Sequence, residues 1–166
     1  MSLAEIEFRR ARLSDAAAVF EWRNDSTSRA ASVSTGEISW AGHVEWFESA
    51  LADPLREIYI AVESDSSAVG MCRFDERTDA AEVSINLAPS VRGKGIASVV
   101  LRGAIDAYRE DHPGTGRLTA VIRPSNTASV RLFERLGFTR LGGDGEFDRY
   151  SCDLAESPLR GASPKI

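Results

Sequence analysis

Apolar and polar residues alternate in several short runs along this chain. In the clearest run, Val83, Ile85 and Leu87 alternate with Glu82, Ser84 and Asn86. A period of two is typical of a strand with one buried face, so we expect a strand at residues 82–87. Further strands are predicted at residues 5–9, 58–62, 68–74, 118–122 and 147–154, with a shorter one between Phe138 and Leu141.

Four other segments place apolar residues at helical spacing. These predicted helices follow Ser14 or Asp15, Ser39, Gly95 and Asn126. Serine, aspartate and asparagine are common helix caps, and Gly137 has the place of a C-terminal cap. The polar stretch Asp25–Thr35 has no periodicity, and we expect a loop there. The order β-α-α-β-β-β-α-β-α-β-β indicates one domain over residues 1–155, followed by a flexible polar tail at 156–166.

Composition narrows the class of protein. The 166 residues suffice for one sizeable core, and the net charge of −5 argues against a nucleic-acid partner. Two cysteines and two histidines predict neither a disulfide framework nor a metal site. The N-terminus lacks the pattern of a signal peptide and no apolar run is long enough to cross a bilayer. We therefore expect a cytoplasmic protein with no membrane partner.

A basic glycine-rich turn, Arg92-Gly93-Lys94-Gly95, joins the strand at 82–87 to the longest predicted helix. Backbone N–H groups at a helix N-terminus attract anions, and glycine lets backbone approach phosphate oxygens closely. The spacing is neither that of a P-loop nor that of a dinucleotide-binding turn. Taken alone, the turn is equally compatible with an ordinary strand-to-helix connection.

Two motifs together resemble the GNAT superfamily of N-acetyltransferases. The first is Arg92-x-x-Gly95-x-Ala97, and the second is Asn126-x-x-Ser129-x-x-x-Phe133-x-x-x-Gly137-Phe138. The resemblance implies an α/β (α+β) fold with a central mixed, mostly antiparallel sheet of six to seven strands flanked by four helices. It implies acetyl-CoA as co-substrate, with no metal. The cofactor-binding residues it implies are Leu87, Ala88, Arg92, Gly93, Lys94, Gly95, Ile96, Ala97, Asn126 and Phe133.

The implied reaction is direct attack of a primary amine on the thioester carbonyl. A protonated amine needs a base, and Glu82 on the polar face of its strand is our candidate, although a charged residue there can also be merely solvated. In the family a backbone N–H near Leu87 stabilises the oxyanion. Many relatives carry a tyrosine where this chain has Phe133, so Ser129 or a water is expected to assist thiol departure instead.

Candidate acceptor-binding residues are Arg23, Asn24, His43 and Trp46. Their segments resemble a GNAT subgroup of ribosomal-protein N-acetyltransferases and pseudaminic-pathway sugar-nucleotide N-acetyltransferases. The acceptor is thus expected to be a small molecule, such as an amino sugar nucleotide, or a protein N-terminus. The alternative is a catalytically silent GNAT domain that binds CoA as a sensor or scaffold. The sequence does not decide between a monomer and a homodimer.

Overall fold

In the computed structural model of the protein, residues 5–32 and 35–155 are described. Within these residues seven strands form one sheet in the order β1-β2-β3-β4-β5-β7-β6. The strands are β1 (Glu7–Arg10), β2 (Arg56–Val62), β3 (Ala68–Glu76), β4 (Ala81–Leu87), β5 (Arg117–Ile122), β6 (Thr139–Gly143) and β7 (Asp148–Asp153). Neighbouring strands are antiparallel except β4 and β5, which are parallel. The predicted mixed, mostly antiparallel sheet is confirmed.

The helices flank this sheet. They are α1 (Ala16–Asn24), α2 (Ser26–Ala31), α3 (Trp40–Ala52), α4 (Ala97–Asp111) and α5 (Thr127–Arg135). Four were predicted, and α2 is the addition, since it lies in the stretch that we expected to be a loop. Its cap explains the difference: the Asp25 carboxylate accepts hydrogen bonds from the backbone N–H groups of Thr27 (3.1 Å) and Ser28 (3.2 Å).

The core lies on both faces of the sheet. On one face α4 packs against β1, β2 and β3, with Tyr108 stacked on Phe74 at 4.3 Å between ring centroids. Gly103 allows α4 to lie close to β1, because a Cβ at this position would lie 2.1 Å from the ring of Phe8. On the other face α1 and α3 bury a cluster centred on Phe47.

The strands β4 and β5 separate soon after they meet. Their pairing is restricted to Ala81 with Leu118 and Glu82 with Thr119. Beyond Glu82, β4 continues to pair with β3 as far as Leu87 and Gly70. A gap therefore opens in the middle of the sheet, beside the second half of β4.

The register of β4 shows which backbone groups face this gap. The N–H of Ala88 donates to the carbonyl of Val69 on β3 (2.9 Å). Because alternate residues of an antiparallel strand bond to the same neighbour, the N–H groups of Leu87 and Ile85 point away from β3. They face the gap.

The predicted tail at 156–166 lies outside the described residues, so the domain boundary at 155 stays a prediction. Across residues 5–32 and 35–155, each helix is too short or too polar to span a bilayer.

Candidate active site

A cavity of about 680 Å³ occupies the gap between β4 and β5 and extends beneath α1, α2 and α3. One side is formed by β4 and by residues of α5, including Asn126, Ser129 and Phe133. The other side includes Arg23, Trp46 and residues of α2. The two motifs of the sequence and two of the four predicted acceptor residues thus contribute to a single cavity.

The glycine-rich turn has a backbone conformation that favours glycine at two positions. Gly93 and Gly95 have φ values of 74° and 73°, in the left-handed region that other residues rarely adopt. Gly93 and Ala97 line the cavity, Lys94 is exposed, and α4 begins directly after Ile96. The turn therefore presents backbone N–H groups and one lysine at the mouth of the gap.

Arg92, by contrast, is already engaged by other protein groups. Its guanidinium donates to the Asp25 carboxylate, to the Ser28 hydroxyl (2.6 Å) and to the Leu87 carbonyl (2.9 Å). The hydrogen bond from Arg92 holds the pKa of Asp25 below its usual value. Ser28 in turn donates to the Asn86 side chain (3.1 Å). In this structure Arg92 joins α2 to the end of β4, and its role as a cofactor ligand stays a prediction.

The first turn of α5 carries a reciprocal side-chain pair. Asn126 caps the helix by accepting from the Ser129 N–H (3.2 Å), and its amide donates to the Ser129 Oγ (3.0 Å). Because the hydroxyl of Ser129 accepts in this pair, its own proton remains available. One turn further, the buried ring of Phe133 packs edge-to-face on Phe138 at 4.9 Å and lines the cavity.

Glu82 lies just outside the cavity. It pairs with Asp75 on one side and Thr119 on the other, and the lining of the cavity begins at the next residue, Val83. Among the described residues, those that line the cavity include no aspartate, glutamate or histidine. The predicted base is therefore one strand position away from the space in which an amine would bind.

Arg23 and Trp46, two of the predicted acceptor-binding residues, contact each other in the cavity wall. The guanidinium carbon of Arg23 lies 4.0 Å from the centroid of the Trp46 ring, within the range of a cation–π contact. Burial lowers the pKa of Arg23, and the positive charge of Arg73 lowers it further.

Asn24 and His43 bind other protein groups, and their predicted role in acceptor binding stays a prediction. The amide of Asn24 binds the backbone of Ile38 at both groups, accepting from its N–H (2.8 Å) and donating to its carbonyl (2.7 Å). His43 is fully buried, its Nε2 lies 2.8 Å from the Ala16 carbonyl, and its ring packs against Phe47. Burial lowers the pKa of His43. Both residues hold the segments around the cavity, and neither belongs to its lining.

One cavity residue, Arg73, was not predicted from the sequence. Arg73 lies on β3 opposite Ser84, lines the cavity, and donates to the Asp75 carboxylate (3.0 Å). Asp75 is itself buried between Arg73 and Arg56. The signal available was the placement of Arg73 on the same strand face as the polar residues of β4.

Comparisons with known proteins agree with this geometry. The family described as "Acetyltransferase (GNAT) domain" matches residues 5–139. A Bacillus subtilis (strain 168) protein named "Putative phosphinothricin acetyltransferase YwnH" is 29% identical over 147 residues, which cover 83% of this chain and 88% of that protein. Spermidine N-acetyltransferase from Vibrio cholerae, solved with CoA and spermine, has a TM-score of 0.81 at 18% identity, with 90% of this chain and 96% of that chain covered.

A second solved structure, the aminoglycoside acetyltransferase AAC(6')-Ib in complex with coenzyme A, has a TM-score of 0.77 at 20% identity and covers 91% of this chain and 96% of that chain. Within the described residues, no cluster of three or more histidine, cysteine, aspartate or glutamate side chains could hold a metal ion. The family match, the gap between β4 and β5 and the glycine-rich turn lead to one conclusion: the chain belongs to the GNAT family of acetyltransferases.

Proposed function

We propose that this protein transfers the acetyl group of acetyl-CoA directly to a primary amine of a small molecule, without an acyl-enzyme intermediate. The observation that carries the proposal is the single cavity, which joins the gap between β4 and β5 to the space beside Arg23 and Trp46. A thioester arm in the gap and an amine beside it would share one space, and one direct attack then completes the reaction.

The gap offers the donors that this reaction needs. The N–H of Leu87 faces it and is positioned to stabilise an oxyanion on the thioester carbonyl. We assign the pyrophosphate to the backbone N–H groups of the turn Gly93–Ala97 and to Lys94. Arg92 contributes indirectly while it remains bonded to Asp25.

Departure of the CoA thiolate is assisted, in this proposal, by Ser129. Its hydroxyl accepts from Asn126 and therefore keeps its proton free to donate toward sulfur. Since the pKa of a thiol is about 8.5, the thiolate leaves tolerably well at neutral pH even without a tyrosine at position 133. Ser129→Ala should lower kcat about tenfold or less, which is below the roughly 100-fold low end of general acid–base effects, because the thiolate needs little protonation to leave.

Glu82 remains our candidate for the base, acting through water. It lies on the polar face of β4 next to the cavity-lining residue Ser84, so one or two waters would connect its carboxylate to the amine. Glu82→Gln should lower kcat/KM most at low pH, where the acceptor is more protonated. An unchanged pH–rate profile would assign proton removal to solvent alone.

The second candidate function is a silent CoA-binding domain, favoured by Phe133 and by the lack of a titratable carboxylate or imidazole in the described lining of the cavity. Thiol release on mixing the protein with acetyl-CoA and an amine library separates the two. Turnover of any amine supports the transferase. Tight CoA binding, measured by calorimetry, with no turnover on any amine would instead identify a sensor.

Acceptor identity is proposed only at the level of a small amine. An amino sugar nucleotide stays within this class, whereas a cationic protein N-terminus would need an acidic groove. Glu21, Glu37 and Glu45 are exposed and lie outside the lining of the cavity, so they do not form one there. Homodimer formation likewise stays a prediction, tested by the mass of the protein in solution.

A further inference from the structure

We infer that the acceptor amine carries an anionic oxyacid group, a carboxylate or a phosphate, and that Arg23 binds this group with Arg73 and Trp46 beside it. The inference rests on the proposed function, because it names the chemical class of the acceptor for that same cavity. It follows from the charges of the lining, from the unused donors of Arg23 and from the position of this cluster along β4.

The charges of the cavity lining are unbalanced. In the described part of the chain, three arginines line it (Arg23, Arg73 and Arg92) and no carboxylate does. Two of the three have partners just outside the lining, since Arg92 is paired with Asp25 and Arg73 with Asp75. Asp75 is moreover shared between Arg73 and Arg56. The cavity wall therefore has an excess of positive charge.

Arg23 has the donors that an anion would use. Its Nη1 is buried and has no hydrogen-bond partner within the residues that the structure describes. A buried, uncompensated guanidinium nitrogen is costly, and an anionic ligand would remove that cost. The guanidinium carbon lies over the Trp46 ring, 4.0 Å from its centroid, and a guanidinium has five N–H donors that suit a planar or tetrahedral oxyanion.

The cluster is separate from the place of the cofactor phosphates. Arg73 faces Ser84 on β4, three positions before Leu87, where the strand ends and the chain leads to the glycine-rich turn. At a rise of about 3.3 Å per residue, the two places lie on the order of 10 Å apart along the strand. The anion that Arg23 and Arg73 would hold is therefore on the acceptor, not on CoA.

The same charges disfavour polycationic acceptors. A polyamine would bring several ammonium groups to a wall with three guanidinium groups, and like charges in such a space repel. The two solved structures named above act on or bind spermidine, spermine or an aminoglycoside, but they resemble this chain in fold alone. The cavity of this chain is suited to the opposite charge.

Acceptor pairs that differ only in the anionic group test the inference. Thiol release from acetyl-CoA is measured with an α-amino acid and its α-carboxamide, with an amino-sugar phosphate and the parent amino sugar, and with spermidine. We expect at least one anionic member to exceed its neutral partner about tenfold or more in kcat/KM, as one charged hydrogen bond predicts. The amino-acid and amino-sugar arms distinguish a carboxylate from a phosphate.

Arg23→Gln should abolish this preference by raising KM for the anionic member roughly 10- to 100-fold. Arg23→Lys should restore part of the preference, because the charge returns without the planar fork. Arg102→Gln, on the exposed side of α4, is the matched control and should leave the preference unchanged. The Kd for CoA should stay the same in each variant.

The inference is overturned if spermidine is turned over better than every anionic acceptor, or if Arg23→Gln keeps the preference for the anionic member. Either result would leave the transferase assignment standing. If no amine is turned over, the proposed function fails. Calorimetric titration of the CoA-saturated protein with the same pairs then tests the subsite by itself. Equal binding of acid and amide would overturn it.

Discussion

Replacing Gly95 by alanine tests the central claim about the glycine-rich turn. The φ of Gly95 is 73°, and a Cβ built there meets no other atom within 4 Å among the described residues. The cost of the methyl group is therefore conformational rather than steric. For an L-residue the left-handed region costs about 1–2 kcal/mol.

Gly116 provides a matched control for this substitution. It is also open to a Cβ, and its φ lies outside the positive range. Alanine at either position lowers the entropy of the unfolded chain by a similar amount, which cancels in the comparison. The free energy of unfolding of Gly95→Ala should thus be about 1–2 kcal/mol lower than that of Gly116→Ala. Gly95→Asn should fall between the two, because asparagine tolerates this region better.

Calorimetry with CoA completes the test. If the loop instead relaxes to avoid the strain, its N–H groups turn away from the phosphates, and each charged hydrogen bond lost costs about 1.5–3 kcal/mol of binding. Denaturant unfolding without ligand and CoA titration therefore measure the two possible outcomes. If Gly95→Ala matches Gly116→Ala in both assays, the claim that this turn needs a left-handed backbone at position 95 to bind phosphate is refuted.

Three further predictions concern one residue of the cavity lining and two buried residues outside it. Phe133→Tyr should raise kcat modestly or leave it unchanged, and a gain of several orders of magnitude would indicate a decayed active site. His43→Phe should lose about 1 kcal/mol of stability with the bond to Ala16 but keep kcat/KM, whereas loss of activity in a folded protein would contradict its structural role. For Asp15, burial raises the pKa, but the hydrogen bonds from Arg9 and from a backbone N–H outweigh burial, so the pKa lies below its usual value. The stabilisation from ionised Asp15 is thus present above about pH 4 and is lost as the pH falls toward the folded pKa. In Asp15→Asn the free energy of unfolding should therefore fall less steeply with decreasing pH, and an unchanged slope at acid pH would contradict this.

Features with local causes were predictable from the sequence. The strand at 82–87 and the helix after Ser39 follow from periodicity and a cap, and both are confirmed. The glycines at 93 and 95 were singled out as a turn, and the positive φ found at both is a conformation that glycine adopts without strain. Each of these signals spans a few neighbouring residues, so no knowledge of the tertiary structure was needed to read them.

Features that depend on distant partners were not predictable in this way. Arg92 was expected to face phosphate, but its guanidinium binds Asp25, which is 67 positions earlier in the chain. The short helix α2 has no apolar periodicity that would predict it. It is stabilised by the cap at Asp25 and by the hydrogen bond from Ser28 to the distant Asn86. Arg73 belongs to no sequence motif, because its place in the cavity follows from the pairing of β3 with β4, where it lies opposite Ser84.

The Arg92 contacts connect the two sides of the cavity, which are the end of β4 with the glycine-rich turn and the acceptor side with α2. The turn that we assign to the cofactor phosphates begins at Arg92, and the guanidinium of that residue holds both the cap of α2 and the last carbonyl of β4. Because α2 supplies Ser28 to the acceptor side, a shift of the turn would move the acceptor wall as well. If the thioester and the amine bind as we propose, Arg92 would hold their two sites at a fixed distance, which is the quantity on which direct transfer depends.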